Sequence, residues 1–437
     1  MNKKSMKSIY DFKFDKRTVI LRCDLNVTIK DGKILDNSKI KASLKTLEYI
    51  LDKNARVIIM SHLGRIKTRE DLSKNDMRIV YEELNRLLPR RVSFVDETNP
   101  SKLKKYVKDL EYGKAILIQN TRYEDLKDNK ESSCDKKLSK GWASLGEFFI
   151  NDAFATIHRK HASNYGISSY LPSGVGFLVL KEIEELNILD DPERPYVVIM
   201  GGAKIADKIE IVEKLIKKAD YILVGGAMSY TFLKAKGYNM GKSLIEPDKI
   251  DFCKSLLDRY SDRIILPTDL YGAFSLDDDA DVVFQDVEGI PDSFHGMDIG
   301  DNTIEKFISV LKNTKTVFWN GPLGAYENKN FRKGTLKILD YITKNVDTVI
   351  LGGGDIVTCV NILGYSDKVS FLSTGGGATL KYLENHNQPG LENMDFWYIW
   401  HSTKKDKKYS LTSLLFVVQL PYAVVRKERI WKPLNYF

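Results

Sequence analysis

Between Tyr196 and Gly377, five short apolar runs each break into glycines or a turn that suits phosphate. They read YVVIMGGAK (196–204), YILVGGAM (221–228), TVFWNGPLG (316–324), TVILGGGD (348–355) and VSFLSTGGG (369–377). Near-continuous runs of β-branched and aliphatic residues predict strands buried on both faces of a parallel sheet. A glycine at the end of such a strand exposes backbone N–H groups, and the next helix begins there. Orphan N–H groups and the helix dipole both favour negative charge, so this edge of the sheet predicts an anion site.

The first half repeats the plan but ends its strands in cations. Apolar runs at 18–24, 55–61, 92–96, 115–119 and 147–151 alternate with helical stretches such as Lys41–Leu51 and Met77–Leu88. Strand alternating with helix predicts parallel sheets covered on both faces, with ligands beyond the carboxyl ends of the strands. Four of those ends carry Arg22-Cys23-Asp24-Leu25-Asn26, Ser61-His62-Leu63-Gly64-Arg65, Asn120-Thr121-Arg122, and Asn151-Asp152-Ala153-Phe154 leading to His158-Arg159. Lys39 starts the helix after the first run. One arginine at a strand end is ordinary surface chemistry. Four such ends on one edge instead predict a small ligand with at least two anionic groups, held by Arg and His, with Asp24 and Asn26 orienting a hydroxyl. His161 reads as structural.

In the second half, Gly201-Gly202-Ala203-Lys204 followed by Ala206-Asp207-Lys208 is the sharpest local signal. The spacing predicts Lys204 and Lys208 on one face of a helix start, where a bound anion would relieve their conflict with the dipole. No GxxxxGK[ST] and no complete GxGxxG is present, which disfavours a Walker-type NTPase and a nicotinamide dehydrogenase. Asp355, after Gly353-Gly354, is placed either to hold a magnesium ion shared with phosphate or to cap a helix.

Composition excludes little. The 437 residues are 43% hydrophobic and 29% charged, and the formal charge is +8. Half of that excess comes from residues 392–437, which hold eight Lys/Arg against four Asp/Glu. Cys23, Cys134, Cys253 and Cys359 are scattered with no CxxC, which suits a reducing compartment better than disulfides or zinc. The N-terminus is basic without an apolar h-region, so no signal peptide is expected. The apolar stretch from Leu411 to Val425 is short for a spanning helix and is broken by Gln419 and Pro421.

Taken together, RCDLN, MSHLGR, NTR, FINDAFATIHRKH, ERPYVVIMGGAKIADKI, VGGAMSYTF, WNGPLGAYE, GGGD and STGGGA resemble the phosphoglycerate kinase family in order and spacing, over roughly residues 8–390. The resemblance implies an α/β chain of two Rossmann-like domains with parallel sheets, joined by a hinge helix. The expected division is a 3-phosphoglycerate domain at 1–170, the hinge at 171–189, a nucleotide domain at 190–378, a return segment at 379–390 and an atypical basic aromatic tail at 391–437. It also implies reversible phosphoryl transfer between 1,3-bisphosphoglycerate and MgADP, giving 3-phosphoglycerate and MgATP, in a cytoplasmic monomer needing neither nucleic acid nor membrane.

Carried over by motif, the 3-phosphoglycerate site comprises Asp24, Asn26, Lys39, His62, Arg65, Arg122, His158 and Arg159. Lys39, Arg65, Lys204 and Lys208 are the expected catalytic cations. Gly202, Ala203, Lys204, Lys208, Gly225, Gly226, Gly296, Asn320, Gly321, Leu323, Tyr326, Glu327, Gly353, Gly354, Asp355 and Ile356 are the expected nucleotide contacts, with Asp355 serving Mg2+. The chain departs from the family pattern at four places. Lys39 replaces an arginine, Ile356 a threonine, Ile66 a proline and Gln119 a glutamate. The tail after Gly390 has no family counterpart. Three readings follow: an active kinase, an impaired member kept for ligand binding, and a tail that contacts nucleic acid or membrane.

Overall fold

The computed structural model describes residues 6–277 and 280–394, apart from the side chains of Asp207 and Glu210. Residues 395–437 of the basic aromatic tail, including the Leu411–Val425 stretch, fall outside the described residues. The described residues all belong to one compact unit.

The strands are β1 (Thr18–Cys23), a short hairpin of β2 (Ile29–Lys30) and β3 (Lys33–Ile34), β4 (Arg56–Met60), β5 (Val92–Val95), β6 (Ala115–Ile118), β7 (Phe148–Asp152) and β8 (Ser173–Val175). They continue with β9 (Tyr196–Met200), β10 (Tyr221–Val224), β11 (Ile264–Ile265), β12 (Asp269–Ala273), β13 (Val283–Asp286), β14 (His295–Ile299), β15 (Thr316–Asn320), β16 (Thr348–Gly352) and β17 (Phe371–Ser373).

Two six-stranded sheets result, ordered β5-β6-β4-β1-β7-β8 and β11-β10-β9-β15-β16-β17, and every pairing within them is parallel. Their burial follows from the strand period of two. Val197 and Ile199 of β9 enter one apolar cluster, while Tyr196, Val198 and Met200 enter another on the opposite face. In β1, Ile20 likewise faces away from Val19 and Leu21. This is why those runs carry no polar alternation. In each sheet the strand order reverses beside a central strand, at β1/β7 and at β9/β15, and such reversals open a crevice at the carboxyl ends.

Two features were not foreseen in the sequence. Ser173–Val175, inside the segment read as the start of the hinge, is a strand paired to β7, and the helix itself runs from Phe177 to Asn187. A three-stranded antiparallel sheet, β13-β12-β14, also stands beside the second parallel sheet and supplies Gly296.

The connecting helix is held by both sheets, at its start and at its middle. At its start the Leu178 N–H donates to Asp152 Oδ1 at 2.8 Å, and the Phe177 N–H to Thr46 Oγ1 at 3.0 Å. From the second sheet, Ser373 Oγ, the Thr374 N–H and Thr374 Oγ1 all donate to the buried Glu182 carboxylate at 2.7 Å. The chain then returns to the first sheet. The Gly390 N–H donates to the Ile157 carbonyl at 2.8 Å, and the Lys7 N–H to that of Met394 at 2.9 Å. Met394, the partner of Lys7, already lies past Gly390, so the first residues with no family counterpart share in this docking.

Candidate active site

The cationic group forms where β1, β4, β6 and β7 end. Asp24 follows β1 directly and is buried, and the Lys39 ammonium, from the second residue of helix Ser38–Asp52, lies 2.9 Å from its carboxylate. Asn26 Oδ1 accepts from the Gly64 N–H at 2.9 Å, which ties the loop after β1 to the loop after β4. His62 is buried, and its Nδ1 faces the Arg22 guanidinium at 3.1 Å. Burial first, then the cations Arg22, Arg122, Lys39 and Arg159, hold its imidazole well below the usual value. A guanidinium can only donate, so Nδ1 accepts and the single ring proton sits on Nε2. His62 is thus a neutral donor inside a ring of positive charge.

Arg122 is 7% exposed, donates to the Gly64 carbonyl at 3.3 Å, and leaves a buried Nε with no partner among the described residues. His158 accepts from Arg159 Nε at 3.2 Å, so it positions Arg159. Burial, followed by Arg159 and Lys381, brings its pKa down to about 4. Arg65 is exposed, and its side chain has no hydrogen-bond or ion-pair partner among the described residues. His161 is buried, and burial together with nearby arginines holds its pKa at about 3, in keeping with a structural place. Arg22 is also structural. It is 1% exposed and donates to the Cys23 carbonyl and, at 3.0 Å, to Ser163 Oγ, whose hydroxyl in turn donates to buried Glu131.

The second group forms at the β9/β15 reversal. The Gly201 N–H donates to the Asn320 carbonyl at 2.8 Å, the Gly202 N–H to that of Pro322 at 2.7 Å, and the Gly226 N–H to that of Leu323 at 3.0 Å. Gly202 (φ 89°) and Gly321 (φ 83°) are left-handed, and a Cβ there would lie 3.0 Å and 2.9 Å from Lys208 Nζ. Only glycine leaves that ammonium its place, from which it donates to the Gly201 carbonyl. Beside this turn a cleft of about 270 Å³ is lined by Gly202, Ala203, Gly226, Gly296, Tyr326, Glu327 and Asp355. Ala227, Tyr230, Leu244, Met297, Pro322, Gly324 and Ala325 complete its wall. Sequence reasoning missed these because they are largely apolar residues on turns, on the unforeseen antiparallel sheet and, for Tyr230, on helix Met228–Ala235. A larger recess, about 780 Å³ around Lys236 and Lys306, gathers none of the expected residues.

Several expectations need correction. Lys204 and Lys208 do not share a helix face. A 3-10 turn spans Ala206–Lys208 and the α-helix begins only at Ile209, because the left-handed Gly202 turns the chain before a helix can start. The N–H groups ahead of that turn are taken by the chain's own carboxylate: those of Ile205 and Ala206 both donate to Glu246 Oε2, the latter at 3.2 Å. Ile356 is fully buried beside Val317, Trp319 and Val360, so its side chain faces the core and not a phosphate. Leu323 is fully buried as well, and a Cβ on Gly225 would press on it at 2.5 Å, so both lie behind the cleft wall. Asn320 donates to the Gly352 carbonyl and keeps a buried Oδ1 without a partner among the described residues. Gly353 is left-handed at φ 122°, and Gly354 opens the helix Gly354–Leu363 with Asp355 in its first turn.

The two groups approach through Phe154 and Gly375. A Cβ on Gly375, in the loop after β17, would lie 2.6 Å from the ring of Phe154, in the loop after β7. The Phe154 ring also meets that of Tyr382 edge-on at 5.8 Å. Among the described residues no helix is long and apolar enough to cross a membrane.

A family profile described as phosphoglycerate kinase matches residues 9–386. The chain is 45% identical over 391 residues to the phosphoglycerate kinase of Fusobacterium nucleatum subsp. nucleatum, covering 88% of this chain and 98% of that relative. It is 44% identical over 388 residues to that of Staphylococcus aureus, with the same coverage. Its fold is similar to the solved phosphoglycerate kinase of Coxiella burnetii, at a TM-score of 0.79 and 31% identity, over 89% of this chain and 99% of that one. The Pyrococcus horikoshii OT3 enzyme gives a TM-score of 0.77 at 29% identity over 89% and 98%. The chain belongs to the phosphoglycerate kinase family.

Proposed function

We propose that the chain catalyses reversible phosphoryl transfer between 1,3-bisphosphoglycerate and MgADP, with the acyl phosphate held at the cationic edge and the nucleotide in the glycine-walled cleft. One observation carries this reading: the loops after β7 and β17 touch at Phe154 and Gly375, so the carboxyl edges of the two sheets are neighbours. Arg65, Arg122 and Arg159 have the planar fork that matches carboxylate and phosphate. His62 donates from Nε2 to the same ligand, while Asp24 and Asn26 fix Lys39 and Gly64 around it.

In the forward direction the bond between phosphorus and the carboxyl oxygen breaks, and one to a terminal ADP oxygen forms. The leaving carboxylate and the attacking phosphate are both ionised already, so no general base is needed. Alignment and charge neutralisation do the catalysis. Lys39 and Arg65 act from the first sheet, Lys204 and Lys208 from the second. Asp355 offers a hard oxygen at the cleft and has no ion pair among the described residues. Those residues contain no cluster of three or more potential metal ligands. Asp355 would hold Mg2+ brought in on the nucleotide, and the ion would neutralise phosphate charge there.

Asp152 at the start of helix Phe177–Asn187 and Glu182 at its middle tie it to the two sheets, which supports its role as the hinge, with the first domain ending after β8. Cytoplasmic placement and a monomeric state complete the proposal. Two titrations test the division of labour. Arg65→Met is expected to weaken 3-phosphoglycerate binding about tenfold and leave MgATP binding within about twofold, and Asp355→Asn to do the reverse. Arg65→Met weakening only the nucleotide would contradict it.

A further inference from the structure

We infer that Glu246 is a positioning residue for the phosphate-side lysines, acting through the backbone of the turn that carries them; this rests on the kinase reading above. The Ile205 and Ala206 N–H groups converge on one carboxylate oxygen, Glu246 Oε2. They lie between Lys204, which is exposed, and Lys208, which reaches back to the Gly201 carbonyl. Neither N–H has a helical partner, because the α-helix starts only at Ile209.

Glu246 is itself fixed. Its N–H donates to Thr231 Oγ1 at 3.1 Å, on helix Met228–Ala235, and Pro247 after it favours the extended backbone observed at φ −110°, ψ 95°. Three residues earlier, Ser243 Oγ accepts from the Gly296 N–H at 2.9 Å, and Leu244 lines the nucleotide cleft. Residues 243–246 therefore form a strap from the base-side wall of the cleft to the phosphate turn. Their geometry sets where both ammonium groups stand when the nucleotide is in place. A carboxylate that only capped the turn would need no such tie to the cleft.

Reach and charge separate under substitution. Glu246→Gln keeps the length and one acceptor oxygen but loses the charge. Glu246→Asp keeps the charge but is one methylene too short. Turnover of 3-phosphoglycerate with MgATP, measured on the full chain, is expected to fall about threefold in Glu246→Gln and about thirtyfold in Glu246→Asp and Glu246→Ala, with KM for 3-phosphoglycerate within about twofold. An Asp variant as active as the wild type, or a Gln variant worse than Asp, overturns the positioning role. So does a fall in Tm with kcat unchanged below the transition. Wild-type protein that binds both ligands without turnover overturns the kinase reading, and the inference falls with it.

Discussion

The Lys39 ammonium lies 2.9 Å from the carboxylate of Asp24, a group almost wholly withdrawn from water. The family pattern has an arginine here. A lysine engaged with Asp24 is a point charge with no second planar N–H to offer a phosphoryl oxygen. Lys39→Arg can keep the Asp24 contact and present the other edge of the guanidinium, so kcat is expected to rise about two- to tenfold. Lys39→Met leaves Asp24 unpaired and should lower kcat/KM about 30- to 150-fold, about 2–3 kcal/mol. Steady-state kinetics of the two variants checks both. An Arg variant no faster than wild type would mean that Lys39 already fills the arginine's place.

Ile356 leads to a different expectation. Its side chain is fully buried among Val317, Trp319 and Val360, so restoring the family's threonine puts a hydroxyl into an apolar cluster. Ile356→Thr should lose about 1–3 kcal/mol of stability and change kcat less than twofold. Denaturant unfolding alongside the turnover assay measures the two effects separately. A clear gain in kcat would show that this side chain does reach the phosphate end.

Asp298 ties stability to pH. It caps helix Lys333–Asn345 by accepting from the Gly334 N–H at 2.8 Å, and burial, outweighing this bond and that from Ile299, raises its pKa to about 7. Between the ordinary carboxyl value and 7 the folded state binds the proton and the unfolded state does not. Stability from this group is therefore full in acid and is lost as pH rises through 7. Asp298→Asn removes the titration while giving up one acceptor at every pH. The stability advantage of wild type over variant should shrink by about 2–3 kcal/mol from pH 5 to pH 8. A gap independent of pH would place the carboxylate in a wetter setting than its burial implies.

Most of the parallel architecture was legible because buried strands announce themselves. VVIM, ILV, VFW and VIL carry no polar alternation, and the two halves punctuate them with cations or with glycine. Arg122, Gly202 and Asp355 follow β6, β9 and β16, so their position beyond strand ends was legible for the same reason. What could not be read depended on contacts distant in sequence. Glu246 meets Ile205 and Ala206 from some forty positions away, and nothing in GKSLIEPDK marks it as the partner of that turn. The Lys204–Lys208 spacing fits a helix, but Gly202 with φ 89° delays the helix to Ile209. β13 does alternate half-buried and exposed residues, a usable signal, yet its four residues are too few to stand out.

The central claim is that cations from one sheet and glycine turns from the other act on a single phosphoryl group. Coupled turnover of this chain with 3-phosphoglycerate and ATP, with Mg2+ present and then chelated, tests it most directly. The account predicts turnover with Mg2+, its loss on chelation, and recovery when Mg2+ is restored. Binding of both 3-phosphoglycerate and MgATP with no turnover at any Mg2+ concentration would contradict it.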